Sequence, residues 1–496
     1  MLIKMTKNWK KYILWFAQEH VDFRSAEFNS LVKLFNLEYR KVCPDSLKPF
    51  WIVEFPNDET ALKFASRSIG LRAIFELWSH GLNFKQYHNN LKDYVQQNME
   101  CIKPYFQTDC SFKITVETYN KHFTQKEKIE KIETMDYLPL EGNVNLKTPQ
   151  VEWWYIEFWG LDPTQVPDEP EDILFGKWLA NGQRHLIKDM SLKTRKFIGN
   201  TSMDTQLSLL MANQALIQSG DLVFDPFVGT GSLLVSAAKF GGYVLGADID
   251  FMMLHARARP SRITQKVREK DESIRSNLKQ YNCADRYMDV VVADFSNPLW
   301  SERIKFDSII TDPPYGIRES TEKVENKVVT KDNTRNPDMP HYPSTSHYAL
   351  QHLYKDLLIF AARHLKIGGR LVCWLPYHRE DYSDEMIPLH KNLILISNSE
   401  QTLTGQTARR LLTYEKTSEP SKHSTDEVVI NEGALTLDFR ERYFDNGYET
   451  RTERRLRKAE QREQGRLEAL KRGKIVSDGR EQKCNLNKAR FLNKDN

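Results

Sequence analysis

The sequence predicts an α/β protein: a sheet domain built from strand–turn–helix repeats, preceded by an α+β region. Two observations carry this prediction. Between Asp221 and about residue 416, short apolar runs each end on an acid or a turn, and glycine turns lead into helical stretches. Strands look like this when helices cover both faces of a sheet. In residues 1–170, strands and amphipathic helices alternate without any catalytic motif.

The N-terminal elements follow from periodicity. Residues 11–17 read as a strand, and Phe28, Leu31, Val32 and Phe35 mark a helix after it. Phe50 to Phe55 reads as another strand, followed by a helix with Ala61, Leu62, Ala65 and Ile69 on one face. Phe112 to Val116 and Trp153 to Trp159 alternate as half-buried strands do. The whole, residues 1–170, points to a binding module. Proline and acid accumulate from Asp162 to Pro170, so a linker is expected next, over residues 171–199.

A second domain is expected over residues 200–416. The capping-box-like spacing of Thr201 and Asp204 predicts an opening helix, with Leu207, Leu210, Met211 and Ala215 at helical intervals. Leu222-Val223-Phe224, Tyr243-Val244-Leu245-Gly246, Val290-Val291-Val292 and Phe306 to Thr311 are the expected strands, and Gly368 to Leu375 adds a turn and another strand. Ser320 to His347 is polar and aperiodic, as a long loop beside an active site would be. Residues 417–496 form a charged extension, dominated from Arg451 onward by Arg, Lys, Glu and Gln, and are expected to be partly helical or disordered.

Bulk properties set the remaining bounds. A chain of 496 residues suggests roughly two to four domains. The net charge of +4 is too small to prove nucleic-acid binding. Six scattered cysteines with no C-x-x-C pair argue against a disulfide framework or a structural zinc site. No apolar run reaches bilayer length, and no metal site is expected. These features fit an intracellular protein with no membrane partner.

The residues Asp225-Pro226-Phe227-Val228-Gly229-Thr230-Gly231-Ser232 sit at a strand-to-helix turn, where Gly229 and Gly231 allow a ligand to approach the backbone. A structural turn is the bland reading of Gly-x-Gly alone. Three features point further. Asp248 ends the next strand, with Asp250 two residues on, and a carboxylate there can accept bonds from ribose hydroxyls. Asp294 ends the following strand, where it can accept from an adenine amino group while Phe295 packs on the ring. The loop has no phosphate-binding lysine, which suits S-adenosylmethionine (SAM), a ligand without phosphate.

The strongest signal is Asp312-Pro313-Pro314-Tyr315-Gly316, directly after the strand Phe306 to Thr311. An aromatic amino group is a poor nucleophile, because its lone pair is delocalised into the ring. The Asp312 carboxylate and the Pro313 carbonyl can each accept one N–H, and the carboxylate also stabilises the cationic nitrogen that forms on methylation. The two prolines fix the loop without adding N–H donors, and Tyr315 offers a face for an extruded base. The residues alone therefore point to a SAM-dependent methyltransferase acting on an exocyclic amino nitrogen. A proline turn with a buried tyrosine is the bland alternative.

The chain resembles the eukaryotic tRNA guanosine-10 N2-methyltransferase catalytic subunits, a family with a Rossmann-like class I methyltransferase domain after a ferredoxin-like and THUMP RNA-binding region. Phe197 to Asp204, Asp225 to Ser232, Asp248 to Asp250 and Asp312 to Gly316 carry the likeness, joined by Glu400-Gln401 and Thr407 to Arg410. The resemblance implies guanine N2 of a tRNA as the methyl acceptor. It implies SAM contacts from Asp225, Gly229, Gly231, Asp248 and Asp294, and catalysis by Asp312 with Tyr315 stacking. It also implies a small zinc-containing activator subunit as partner, and a cytoplasmic place of work. Trp51, Trp78, Tyr105 and Phe106 are candidates to stack on RNA, and Lys63, Arg67 and Arg72 to meet phosphates, although core packing or a solvated charge is the commoner fate of such residues. The rival readings are a DNA adenine or cytosine methylase, a protein glutamine methylase, which typically has Asn in the place of Asp312, and an RNA-binding protein without activity.

Overall fold

The computed structural model describes residues 9–41, 47–317, 319–325, 343–420, 428–430 and 439. The charged extension expected over 417–496 therefore lies almost wholly outside the described residues, as does the middle of the polar loop.

The N-terminal elements run β1 (Lys10–Phe16), α1 (Arg24–Leu34), β2 (Arg40–Lys41), β3 (Phe50–Phe55), α2 (Asp58–Ala65), β4 (Leu71–Gly81), α3 (Phe84–Ile102), β5 (Phe112–Tyr119), α4 (Gln125–Glu133), β6 (Val151–Phe158) and β7 (Asp172–Asn181). Together the strands form one seven-stranded sheet in the order β2-β3-β1-β4-β7-β6-β5. Strand periodicity divides its two faces. Tyr12, Leu14 and Phe16 of β1 pack with Phe28 of α1 and Phe64 of α2, whereas Ile13 and Trp15 face Phe75, Ile156 and Phe158. Trp78, Tyr87, Leu91 and Trp153 form a third cluster under α3.

Two expectations are corrected here. Residues 172–181 are not linker: they form β7, which pairs with both β4 and β6 in the interior of the sheet. The proline-rich stretch before it only connects β6 to β7, and the acids around Pro170 hid the buried run Ile173-Leu174-Phe175. On α2, Ala61, Phe64 and Ala65 are buried while Leu62 points to solvent, and Ile69 lies beyond the helix end.

The chain continues through α5 (His185–Asp189) and α6 (Thr205–Gln214) into β8 (Leu222–Asp225), α7 (Ser232–Lys239), β9 (Tyr243–Asp248), α8 (Phe251–Leu254), α9 (Ile274–Gln280), β10 (Tyr287–Val292) and β11 (Phe306–Thr311). Next come β12 (Glu322–Val324), β13 (Thr345–His347), α10 (Leu350–His364), β14 (Leu365–His378), β15 (Leu389–His390), β16 (Leu393–Thr402), β17 (Thr407–Lys416) and β18 (Val428–Val429). Helix α6 is capped by Asp204, whose side chain accepts from Gln206 and Leu207 N–H, so Asp204 rather than Thr201 is the cap.

The second sheet has nine strands in the order β10-β9-β8-β11-β14-β17-β16-β15-β18. Strands β10, β9, β8, β11 and β14 are parallel, and β17 and β16 continue antiparallel. Helices α6, α7 and α9 cover one face and α10 the other, as the apolar strand sequences require. The expected loop between Ser320 and His347 is in part a two-stranded ribbon, with β12 paired to β13.

A buried polar seam joins the two sheets. Glu27 of α1, fully buried, accepts bonds from Ile69 N–H (2.6 Å), Gly70 N–H (2.9 Å) and Asn213 Nδ2 (2.8 Å). Arg67 donates to Asn213 Oδ1 (2.7 Å) and to the Ile217 carbonyl (2.7 Å). Arg370 of β14 reaches Ser30 of α1 and the Gln214 carbonyl.

Candidate active site

The parallel order β10-β9-β8-β11 sets four acids side by side. Asp294 follows β10, Asp248 ends β9, Asp225 ends β8 and Asp312 follows β11. Neighbouring strands lie about 5 Å apart, so the row spans one continuous edge. Chain order reverses between β8 and β11, and in open α/β sheets ligands bind at such a reversal, outside the carboxyl ends of the strands.

The turn after β8 is shaped by two left-handed glycines, Gly229 (φ 48°) and Gly231 (φ 75°). A Cβ at Gly231 would lie 2.7 Å from Ile274, whereas one at Gly229 would project into open space. The N–H of Gly229 donates to Asp248 Oδ2 (2.8 Å), and that of Asp250 donates to Asp248 Oδ1 (2.9 Å). A carboxylate offers about four acceptor positions, so each Asp248 oxygen keeps one for a ligand hydroxyl. Burial pushes Asp248 up to about 6, against these two N–H bonds. Asp250 caps α8 through Met253 N–H (2.9 Å).

Other predicted residues stand behind this surface. Asp225 is buried, and its Oδ1 accepts from Phe227 N–H (3.1 Å) and Thr311 Oγ1 (2.8 Å), which ties the glycine turn to the strand leading into Asp312. Burial pushes its carboxyl up to about 8. Thr230 shares a 2.6 Å hydrogen bond with Ser202, which brings the Phe197–Asp204 segment onto the turn. Asp294 accepts from Ser296 N–H, Ser296 Oγ and Val324 N–H, so it also anchors β12. Phe295 is a core ring, packed edge-on against the half-buried Phe227 (4.9 Å) and against Phe360 (5.4 Å).

At the other end of the row, Asp312 carries partners of a different kind. Arg409 Nη1, from β17, donates to Asp312 Oδ2 (3.2 Å) and Oδ1 (3.4 Å). Tyr315 Oη also donates to Asp312 Oδ1, and Arg409 Nη1 donates to Tyr315 Oη (3.2 Å). Burial pushes Asp312 up to about 6, with the Arg409 cation pulling the other way. Pro313 is buried; Pro314 and Tyr315 are half-buried. A carboxylate fixed at a strand end, beside two prolines and a tyrosine, can accept an amino N–H and stabilise positive charge on its nitrogen.

Residues 10–184 match the Tmrp11 THUMP N-terminal domain family, and residues 193–331 match the RMKL-like methyltransferase domain family. The tRNA (guanine(10)-N(2))-methyltransferase TRMT11 of Gallus gallus is 44% identical over 443 residues, which cover 88% of this chain and 95% of the relative. The chain belongs to the tRNA (guanine(10)-N2)-methyltransferase family. The Homo sapiens TRMT11 is 43% identical over 452 residues (90% and 96%), and the Saccharomyces cerevisiae tRNA (guanine(10)-N(2))-methyltransferase 34% over 450 residues (88% and 99%).

Within this methyltransferase, most residues singled out for RNA contact turn out to be structural. Trp51, Trp78 and Phe106 are core rings, and Tyr105 is packed beside Lys177 with its hydroxyl bonded to Nζ. Arg67 belongs to the buried seam, whereas Lys63 and Arg72 stay exposed, lying over Phe35 and Trp15. Arg409 also stands at this site, a residue to which local pattern assigns no role. It could have been suspected only from Thr407 to Arg410, because the residue it meets lies 97 positions earlier. Among the described residues no helix is long and apolar enough to cross a membrane.

Proposed function

We propose that this chain is the catalytic subunit that methylates the exocyclic N2 of guanosine 10 in tRNA, with SAM as the methyl donor. The observation that carries the reading is the Asp312 carboxylate at the strand reversal, in the same row as Asp248 and held in place by a guanidinium and a phenol.

The donor set fits the cofactor. Asp248 keeps acceptor positions for the ribose hydroxyls, and the open space at Gly229 leaves room for a ligand beside the backbone. No side chain caps the N-terminus of α7, which suits a carboxylate of the methionyl part. Asp294 accepts the adenine amino group, and Phe227 presents the ring nearer the surface, with Phe295 beneath it. When bound, SAM supplies an electrophilic methyl on its sulfonium.

The chain's own residues prepare the acceptor. Asp312 and the Pro313 carbonyl take the two N–H groups of guanine N2, which draws the lone pair out of the ring and stabilises the nitrogen as it becomes cationic. Tyr315 releases Asp312 when the base enters and packs against the base face. Asp225 and Thr311 hold the glycine turn and the catalytic loop in register.

The N-terminal region binds the tRNA, and the partner is a small zinc-containing activator subunit, with the enzyme working in the cytoplasm. Strand β10 ends the nine-stranded sheet among the described residues and exposes Met288 and Val292, an edge to which a protein subunit can add. Methyl transfer from labelled SAM to unmodified tRNA transcripts, with and without that subunit, tests the reading by nucleoside analysis. Labelled N2-methylguanosine, dependent on guanosine 10, is the expected product. Label in another nucleoside, or its persistence after guanosine 10 is replaced, would overturn the substrate.

A further inference from the structure

We infer that Arg409 is a positioning residue for methyl transfer: it fixes the Asp312 carboxylate and keeps it a charged acceptor for the base amino group. This rests on the reading of Asp312 given above and adds a part that the Asp-Pro-Pro-Tyr loop cannot supply from its own sequence.

Arg409 is held on several sides. Strand β17 runs antiparallel to β14, and its guanidinium lies over the Trp374 ring, 4.0 Å from the centroid. Its Nε donates to Gln401 Oε1 on β16 (2.7 Å), and Nη2 points to Met203 Sδ (3.4 Å). Nη1 is left for Asp312 and Tyr315. The wall behind is braced by the N-terminal region. Phe23 packs on Trp374 (5.9 Å), and Asp22 accepts the Glu400 N–H (2.5 Å). A planar, permanently charged fork held this way has little freedom to lose when it pairs with a carboxylate.

The other groups around Asp312 offer no such charge. Asp225 faces it from β8, Cys373 from β14, Tyr354 from α10 and Tyr315 from its own loop. Farther out, Asp204 and His20 act on Arg409 itself. Among these described neighbours Arg409 brings the cation. Without a counter-ion the half-buried Asp312 carboxylate would bind a proton more readily, and a protonated Asp312 would present a donor where the amino group requires an acceptor.

The test uses the full chain with its activator subunit and compares Arg409→Met, Arg409→Lys and wild type. Single-turnover methyl transfer is followed against pH at saturating SAM, together with SAM affinity. For Arg409→Met the rate at pH 7 is expected to fall roughly 100-fold, and the acid limb of its pH–rate profile to move up by about one unit or more, with SAM affinity within about threefold of wild type. Arg409→Lys is expected to return the acid limb to near the wild-type position. An acid limb that stays in place in Arg409→Met, or that is not restored by lysine, would overturn the proposal. If Arg409→Met does not fold, Gln401→Leu, which frees Nε, is expected to lower the rate at pH 6 more than at pH 8; an equal loss at both would overturn it. A wild type that forms no N2-methylguanosine would instead overturn the reading of the reaction.

Discussion

Toward one end of the strand-end row, the Asp248 carboxylate is held by two backbone N–H groups; at the other end, Asp312 is held by a guanidinium and a phenol. Between them Asp225 is buried and bonded to one N–H and one hydroxyl. The residue type and the place at a strand end are shared, so neither explains what each acid does. The partners do. Backbone donors belong to the turn and hold Asp248 where a ribose would lie, leaving acceptor positions open. A cation from a distant strand instead offsets the burial of Asp312. Asp225 has no cation among its partners and is pushed up to about 8, which suits a neutral tie between loops.

Removing Asp312 gives the largest expected effect. In Asp312→Ala the single-turnover rate at saturating SAM should fall by roughly 10³-fold, since the acceptor for the amino proton and the stabiliser of its charge are lost together. A loss below tenfold would assign the chemistry elsewhere.

The comparison is sharpened next at Asp225. Its folded pKa is raised above the unfolded value, so its contribution to stability is fully present below the unfolded pKa and is lost as pH rises toward about 8. Asp225→Asn keeps an acceptor for Phe227 N–H and Thr311 but does not titrate. Between pH 5 and pH 9 the wild type should lose stability relative to this variant, on the order of a few kcal/mol, in denaturant unfolding without ligand. Parallel curves for the two proteins would contradict the assignment.

Asp248 predicts a smaller, opposite dependence for the ligand. With the Asp248 carboxylate proposed to take the ribose hydroxyls, SAM should bind more tightly as pH rises through about 6 and level off above it. Below that pH the affinity should weaken by about tenfold per unit, measured by calorimetry. The smallest effect belongs to Thr311→Val, which removes one buried hydrogen bond to Asp225 and should cost about 1 kcal/mol in unfolding free energy.

Much of the architecture could be read from local pattern. β1, β3 and the strands around the row are alternating or continuous apolar runs, and the place of Asp312 to Tyr315 directly after a strand is legible because the apolar run Phe306 to Thr311 precedes it. β7 was not legible, because acid and proline before it mimic a linker while its pairing with β4 and β6 is a tertiary fact. Arg409 was not legible either. Its contact with Asp312 exists only because β17 lies antiparallel on β14. For Trp51, Trp78 and Phe106, an exposed RNA-stacking ring and a core ring look the same in sequence, and the sheet around them decides.

The division of labour between Asp248 and Asp312 is tested most directly by equilibrium SAM affinity in Asp248→Ala and Asp312→Ala, measured side by side. The expected result is a loss of roughly 10- to 100-fold for Asp248→Ala, the scale of one charged hydrogen-bonding group, and a value within about threefold of wild type for Asp312→Ala. Equal losses in both, or a larger loss in Asp312→Ala, would contradict the account.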